Sequence, residues 1–236
     1  MNVNQLSQRL AVVANYLPEE AYFADIGSDH AYLPCYVCLN DPKARAVAGE
    51  VNQGPYESAL KEVKKHDLNE RIDVRLGDGL DVVEPEEIKQ VVIAGMGGPL
   101  IRDILEQGRN KLFAVNRIIT QPNIDSRSVR KWYYDHGYAL VDEAIVEEGG
   151  HIYEILVAEK GEADSAYQKD KLEKQMWLGP FLIERRPDAF LNKCKEEHKK
   201  KMYIINQMKQ ASLPDEEKLK QHQKELYWLE EVLHNE

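Results

Sequence analysis

The stretch "AYFADIGSDHAYLP", residues 21–34, decides how the chain is read. Its apolar start, "YFADI", reads as a strand that ends on Asp25 and turns at Gly27. Asp29 and His30 follow directly behind the turn. Three arrangements fit such a strand end: a site for a nucleotide-type cofactor, a metal site, or only a tight turn. The rest of the chain has to choose among them.

Strand-like and helix-like segments alternate outward from this point. "RAVAGEV" (45–51), "RIDVRLGDG" (71–79), "QVVIAGMGG" (90–98) and "RIITQPN" (117–123) read as further strands. Between them, a helix is predicted from about residue 31, another over residues 53–68 with Pro55 near its start, and a third from Pro99 to a stop at Gly108. A fourth, "SRSVRKWYYDHG", is stopped by Gly137. The rhythm then changes. "YALVDEAIVEE" and "HIYEILVAEK" flank Gly149-Gly150 with no helix between them, the pattern of a hairpin. The expected fold is therefore α/β: a Rossmann-like, mostly parallel sheet closed by an antiparallel terminal hairpin strand. In such sheets ligands bind at the carboxyl ends of the strands, around the topological switch point.

From about residue 165 every segment looks helical. Leu219, His222, Leu226, Leu229 and Leu233 form a 3-4-3-4 seam, with Ser212 as a cap and Pro214 in the first turn before it. Leu191, Cys194, Ile205 and Met208 offer the facing apolar stripe, so a C-terminal helical hairpin or coiled-coil-like domain is expected. The domain boundaries are then 1–160 and 161–236. Residues up to Lys160 carry 17 basic against 26 acidic side chains (−9), and the tail 14 against 15 (−1). The total of −10 argues against nucleic-acid binding by bulk charge and leaves only local basic patches. No run approaches the roughly 18 apolar residues of a membrane helix, and "MNVNQLSQRL" lacks the features of a secretory signal, so a cytoplasmic protein is expected. Cys35, Cys38 and Cys194 make no disulfide framework, and "CYVC" lacks the remaining ligands of a zinc site. Core packing is the expected role of these cysteines, and no metal is expected.

Four polar turns fall at successive strand ends: Asp25 to Asp29, Glu50-Val51-Asn52, Gly77-Asp78-Gly79 and Gly95-Met96-Gly97-Gly98. Three of them carry an acid, which simple chain reversal does not explain. An adenosine-containing cofactor fits. Glu50 can accept both ribose hydroxyls, Asp78 the exocyclic amino group of an adenine, and Gly27 lets backbone approach the ligand. A dinucleotide does not fit, because "GSDHAY" lacks the second and third glycines of the G-x-G-x-x-G pattern and Asp29 would repel a pyrophosphate. Asp29 suits an ammonium or sulfonium instead, and S-adenosyl-L-methionine carries both without a phosphate.

The order of turns resembles class I S-adenosylmethionine-dependent methyltransferases. More closely, "DIGSDHAYLP", "GDGL", "IAGMGG" and "TQPN" resemble the bacterial tRNA (adenine-N1)-methyltransferases that act on position 22 of tRNA. The resemblance spans about residues 1–160, and the tail adds the helical, coiled-coil-like domain of that family. It implies Asp25, Gly27 and Asp29 near the methionine part of the cofactor, Glu50 on the ribose and Asp78 at the adenine, with Val51 and Gly79 also among the cofactor-binding residues. Gly95 and Met96 would line the boundary between cofactor and substrate. The implied activity is methyl transfer to N1 of an adenine in tRNA.

Adenine N1 is unprotonated at neutral pH, so the reaction requires alignment more than a general base. Asp29 and His30 are the candidates beside the reacting adenine, with Asn123 as a base-edge contact. Each has a plainer reading: an Asx turn for Asp29, a backbone-bonded turn histidine for His30, a helix cap for Asn123. Arg127, Arg130 and Lys131 follow the fifth turn and are candidates for tRNA phosphates, as are Lys199, Lys200 and Lys201 in the tail, whose plainer reading is a solvated helix face. Competing functions are methylation of another RNA or a small molecule, a non-catalytic binding module, and, more remotely, an NAD-dependent enzyme.

Overall fold

The computed structural model describes residues 2–210 and 215–234; the predicted Ser212 cap and Pro214 lie outside them. Strands and helices alternate in the first part of the chain: α1 Gln8–Asn15, β1 Tyr22–Ile26, α2 Tyr32–Asn40, β2 Arg45–Glu50, α3 Gln53–Lys65 and β3 Ile72–Leu76. β4 Gln90–Gly97, α4 Gly98–Gln107, β5 Arg117–Ile124, α5 Ser126–Asp135, β6 Tyr138–Glu148 and β7 His151–Lys160 follow. The sheet order is β3-β2-β1-β4-β5-β7-β6. β1 to β5 are parallel to one another, whereas β7 lies between β5 and β6 and runs antiparallel to both. The mostly parallel sheet with one reversed strand is the fold that the alternation predicts.

Burial explains the order. β1, β2 and β4 sit centrally, and Phe23, Ala24, Val47, Ala48, Val91, Val92 and Ile93 are all inaccessible, as strands covered on both faces require. The hairpin turns on Gly149 and Gly150 at φ +59° and +77°, the left-handed pair that a tight two-residue turn uses. α4 begins where Gly98 leaves no room for a Cβ, which would sit 2.0 Å from the carbonyl oxygen of Asp125. Cys35 and Cys38 fill the core beneath α2, and burial pushes their thiols up to about 12 and about 11. They are core packing, as expected.

The chain divides into two compact units, Met1–Ala166 and Tyr167–Glu236. The second contains α6 Leu172–Leu178, α7 Pro180–Arg185, α8 Asp188–Gln210 and α9 Glu216–His234. α8 and α9 pack antiparallel, with His198 facing Glu230 at 3.5 Å and Lys201 paired to Glu225. The buried line of α9 is Glu225, Leu229 and Val232, one position off the predicted Leu226 and Leu233. The reason is polar: Glu225 faces inward because Lys201 meets it there, with the ammonium 5.4 Å from the Trp177 ring centroid.

Candidate functional site

The strand order reverses between β1 and β4, so the chain leaves these two neighbours toward opposite edges of the sheet. A cleft of about 200 Å³ opens at their carboxyl ends, lined among others by Asp25, Gly27, Ser28, Asp29, Gly95 and Met96. The turn after β1 forms one wall. Gly27 sits at φ +71°, left-handed backbone that favours glycine, and a Cβ there would lie 2.3 Å from Met96 Cε and force that side chain to move. The N–H groups of Gly27 and Ser28 both donate to the carbonyl of Gly49 (2.9 and 3.2 Å), which ties this turn to β2.

Asp25 is almost completely buried and accepts a 2.6 Å hydrogen bond from Ser28 Oγ. Burial pushes its carboxyl up to about 7 against that hydrogen bond, and the nearby Glu50 and Asp29 add to the rise. Glu50 is also buried, and its carboxyl is raised mainly by desolvation. Its Oε1 accepts the backbone N–H of Asp29. That bond holds an unusual run: Asp29, His30 and Ala31 have φ of +41°, +68° and +55°. Left-handed backbone at non-glycine residues is costly, and such strain concentrates at functional sites. The run turns the Asp29 carboxylate outward, with its side chain 74% exposed and 3.6 Å from His30 Nε2. The His30 ring stacks on Tyr32 at 5.3 Å. Among the described residues, neither side chain makes the backbone hydrogen bond of its plainer turn reading.

The second and third turns are joined by Gly77 N–H donating to the carbonyl of Glu50 at 2.8 Å. Asp78 follows on an exposed loop, and Val51 and Gly79 stand on the same rim outside the 200 Å³ cleft. The fourth turn is held from β5. Gln121, fully buried, accepts the Gly95 N–H (3.1 Å) through Oε1 and donates through Nε2 to Asn123 Oδ1 (3.1 Å). Asn123 Nδ2 in turn donates to the Gly95 carbonyl at 2.8 Å. Asn123 is therefore not a helix cap; Asp125 caps α5 instead.

The candidate phosphate contacts separate. Lys131 is exposed and Arg127 half-buried on α5, and Lys199 and Lys200 are exposed on α8. Arg130 is a correction: it is wholly buried and ion-paired to Glu143 (2.6 Å) and Glu154, out of reach of any phosphate. Lys201 is a second, since its ammonium is turned onto Glu225 and His222 with 14% of the side chain exposed. Sequence reasoning passed over Ser28, Gln121 and Arg9, although all three belong to the cleft or its support.

The profile of the family described as tRNA (adenine(22)-N(1))-methyltransferase matches residues 23–231. The chain belongs to this tRNA (adenine(22)-N(1))-methyltransferase family. A curated relative in Bacillus subtilis, a tRNA (adenine(22)-N(1))-methyltransferase, is 49% identical over 226 residues, covering 96% of this chain and 94% of its own. The crystal structure of the B. subtilis M1A22 tRNA methyltransferase TrmK superposes with a TM-score of 0.93, at 46% identity, over 98% and 99% of the two chains. A Streptococcus pneumoniae protein solved in complex with S-adenosyl-L-methionine is 38% identical, with a TM-score of 0.85 over 98% and 100%. In this member of the family the donor set suits that ligand. Carboxylates and open backbone line the rim, and the glycines that would admit a pyrophosphate are absent.

Proposed function

We propose that this chain transfers the methyl group of S-adenosyl-L-methionine to N1 of adenine 22 in tRNA. The observation that carries this reading is a rim of carboxylates at the ends of β1, β2 and β3. Among the described residues, no lysine or arginine pairs with Asp25, Asp29, Glu50 or Asp78. Acids that no lysine or arginine pairs with are suited to a cationic ligand.

When bound, S-adenosyl-L-methionine supplies a methyl group activated on a sulfonium. Glu50 holds the ribose hydroxyls, with Val51 against the sugar, and Asp78 and Gly79 meet the adenine ring. Asp25 and Asp29 face the cationic end across Gly27, and Gly95 and Met96 separate cofactor from substrate. The lone pair of the target N1 attacks without prior deprotonation, so these residues align rather than remove a proton. Positive charge develops on the target adenine, where the outward Asp29 carboxylate offsets it. His30 and Asn123 border that position, and Gln121 keeps the Asn123 amide in a fixed orientation.

An adenine within folded tRNA must be unstacked before N1 is reachable. Arg127 and Lys131 from the sheet unit, and Lys199 and Lys200 from the helical unit, hold the backbone while this happens. On this reading residues 1–160 carry the chemistry and residues 161–236 assist tRNA binding, in the cytoplasm. No helix among the described residues is long and apolar enough to cross a membrane. The test is to incubate tRNA with the protein and methyl-labelled S-adenosyl-L-methionine and map the label by mass spectrometry. Label on N1 of adenine 22, lost when that base is changed, is expected. Label elsewhere would contradict the target, and none at all would contradict the activity.

A further inference from the structure

We propose that Arg9, on α1, anchors the α-carboxylate of the methyl donor's amino-acid part; this rests on reading the cleft as the S-adenosyl-L-methionine site. Arg9 lines the cleft together with Asp25 and Asp29 and is the basic residue among its lining side chains. Its guanidinium stands at the fourth turn, where a Cβ on Gly95 would lie 3.5 Å from Nη1. The amino-acid part of S-adenosyl-L-methionine is a zwitterion. The acidic wall answers its ammonium and leaves its carboxylate without a partner, and Arg9 supplies the missing cation.

The charge of Arg9 is poorly matched by the protein itself. Nη1 donates to Gln121 Oε1, a neutral acceptor. The carboxylate paired with it, Glu148, keeps its Oε2 3.8 Å from Nε, beyond hydrogen-bond reach, while its Oε1 accepts the Gln8 backbone N–H at 2.6 Å. The remaining contact is the Tyr153 ring, 5.0 Å away. No hydrogen bond joins Arg9 Nε or Nη2 to the described residues, so donors of a planar, permanently charged fork remain for a carboxylate. None of the cleft acids contacts Arg9, which keeps a cationic end and an anionic end apart within one cavity. Arg9 also lies before the span matched by the family profile, residues 23–231.

The alternative is that Arg9 only braces α1 against the hairpin. Calorimetry with two ligands separates these roles: S-adenosylhomocysteine, and its decarboxylated analogue, which keeps the amine and loses the carboxylate. Arg9→Gln should weaken S-adenosylhomocysteine about 10- to 100-fold and leave the analogue unchanged. Arg9→Lys should recover part of the loss, and it serves as the readout if the glutamine variant misfolds. Equal weakening of both ligands, or of neither, would overturn the proposal. Failure of the wild-type protein to bind either compound would instead overturn the cofactor reading on which it rests.

Discussion

Two pairs of buried carboxylates sit in the same sheet unit under opposite treatment. Glu143 and Glu154, on β6 and β7, close on the buried guanidinium of Arg130. Among the described residues, Asp25 and Glu50, at the ends of β1 and β2, are hydrogen-bonded by a serine hydroxyl and a backbone N–H and by no lysine or arginine. Desolvation is costly in both places, and a buried carboxylate needs a counter-charge or hydrogen bonds to stay ionised. Arg130 supplies that charge permanently, so the first pair is part of the architecture. The second pair is left for a ligand to complete, and burial, with the neighbouring acids, holds its carboxyls above their ordinary range. A cluster of acids is thus told apart by what the protein pairs with it, not by composition.

Removing Arg130 should do the most damage. Arg130→Met removes the buried positive charge that two buried glutamates close on and is expected to cost about 3–5 kcal/mol of stability, read as a fall in the thermal or urea midpoint. A pH series sharpens the other half of the contrast. Asp25 titrates near 7 when folded, above its ordinary carboxylate range. A cationic donor favours the ionised form, so affinity should rise about tenfold per pH unit below 7 and level off above it. The contribution of Asp25 to stability should run the other way: fully present at low pH, lost as pH rises from the ordinary carboxylate range through 7, and flat beyond, read as the difference between wild type and Asp25→Asn. Asp25→Asn should flatten both profiles, and a profile unchanged by that substitution would remove Asp25 from the account.

Asp78→Ala is expected to have a smaller, selective effect. It should weaken cofactor binding about tenfold by calorimetry, while tRNA affinity in a filter-binding assay stays near wild type. The smallest effect belongs to the exposed lysines of α8. Reversing Lys199 and Lys200 to glutamate should weaken tRNA binding by about three- to tenfold and lessen its salt dependence, with cofactor binding unchanged. Lys201→Met, by contrast, should appear as lost stability, since it removes the permanent positive charge paired to the buried Glu225.

The strand–helix rhythm was legible because each element carries local punctuation: Pro99 and Gly108 bracket α4, and Gly149-Gly150 turns the hairpin. The acids of the rim were legible for the same reason, each lying at the end of its strand or within a few residues beyond it. What stayed hidden depends on partners far along the chain. Arg9 and Gln121 meet across 112 positions, and nothing near either residue marks the encounter. Arg130 and Lys131 are neighbours with the same charge, yet one is buried and the other exposed. Only the inward-facing Glu143 and Glu154 decide which, and alternation along a strand does not reveal that an acid faces inward. On α9 the leucine spacing was visible, but the ion pair that rotates the buried line onto Glu225 was not.

Calorimetric titration of Glu50→Gln with S-adenosyl-L-methionine, paired with its melting temperature, bears most directly on the unneutralised acids. The amide oxygen still accepts the Asp29 N–H, so the turn after β1 is preserved. The expected result is a protein that melts no lower than wild type and binds the donor about 100-fold more weakly. Wild-type affinity in that variant, or a melting point that falls together with the affinity, would contradict the account.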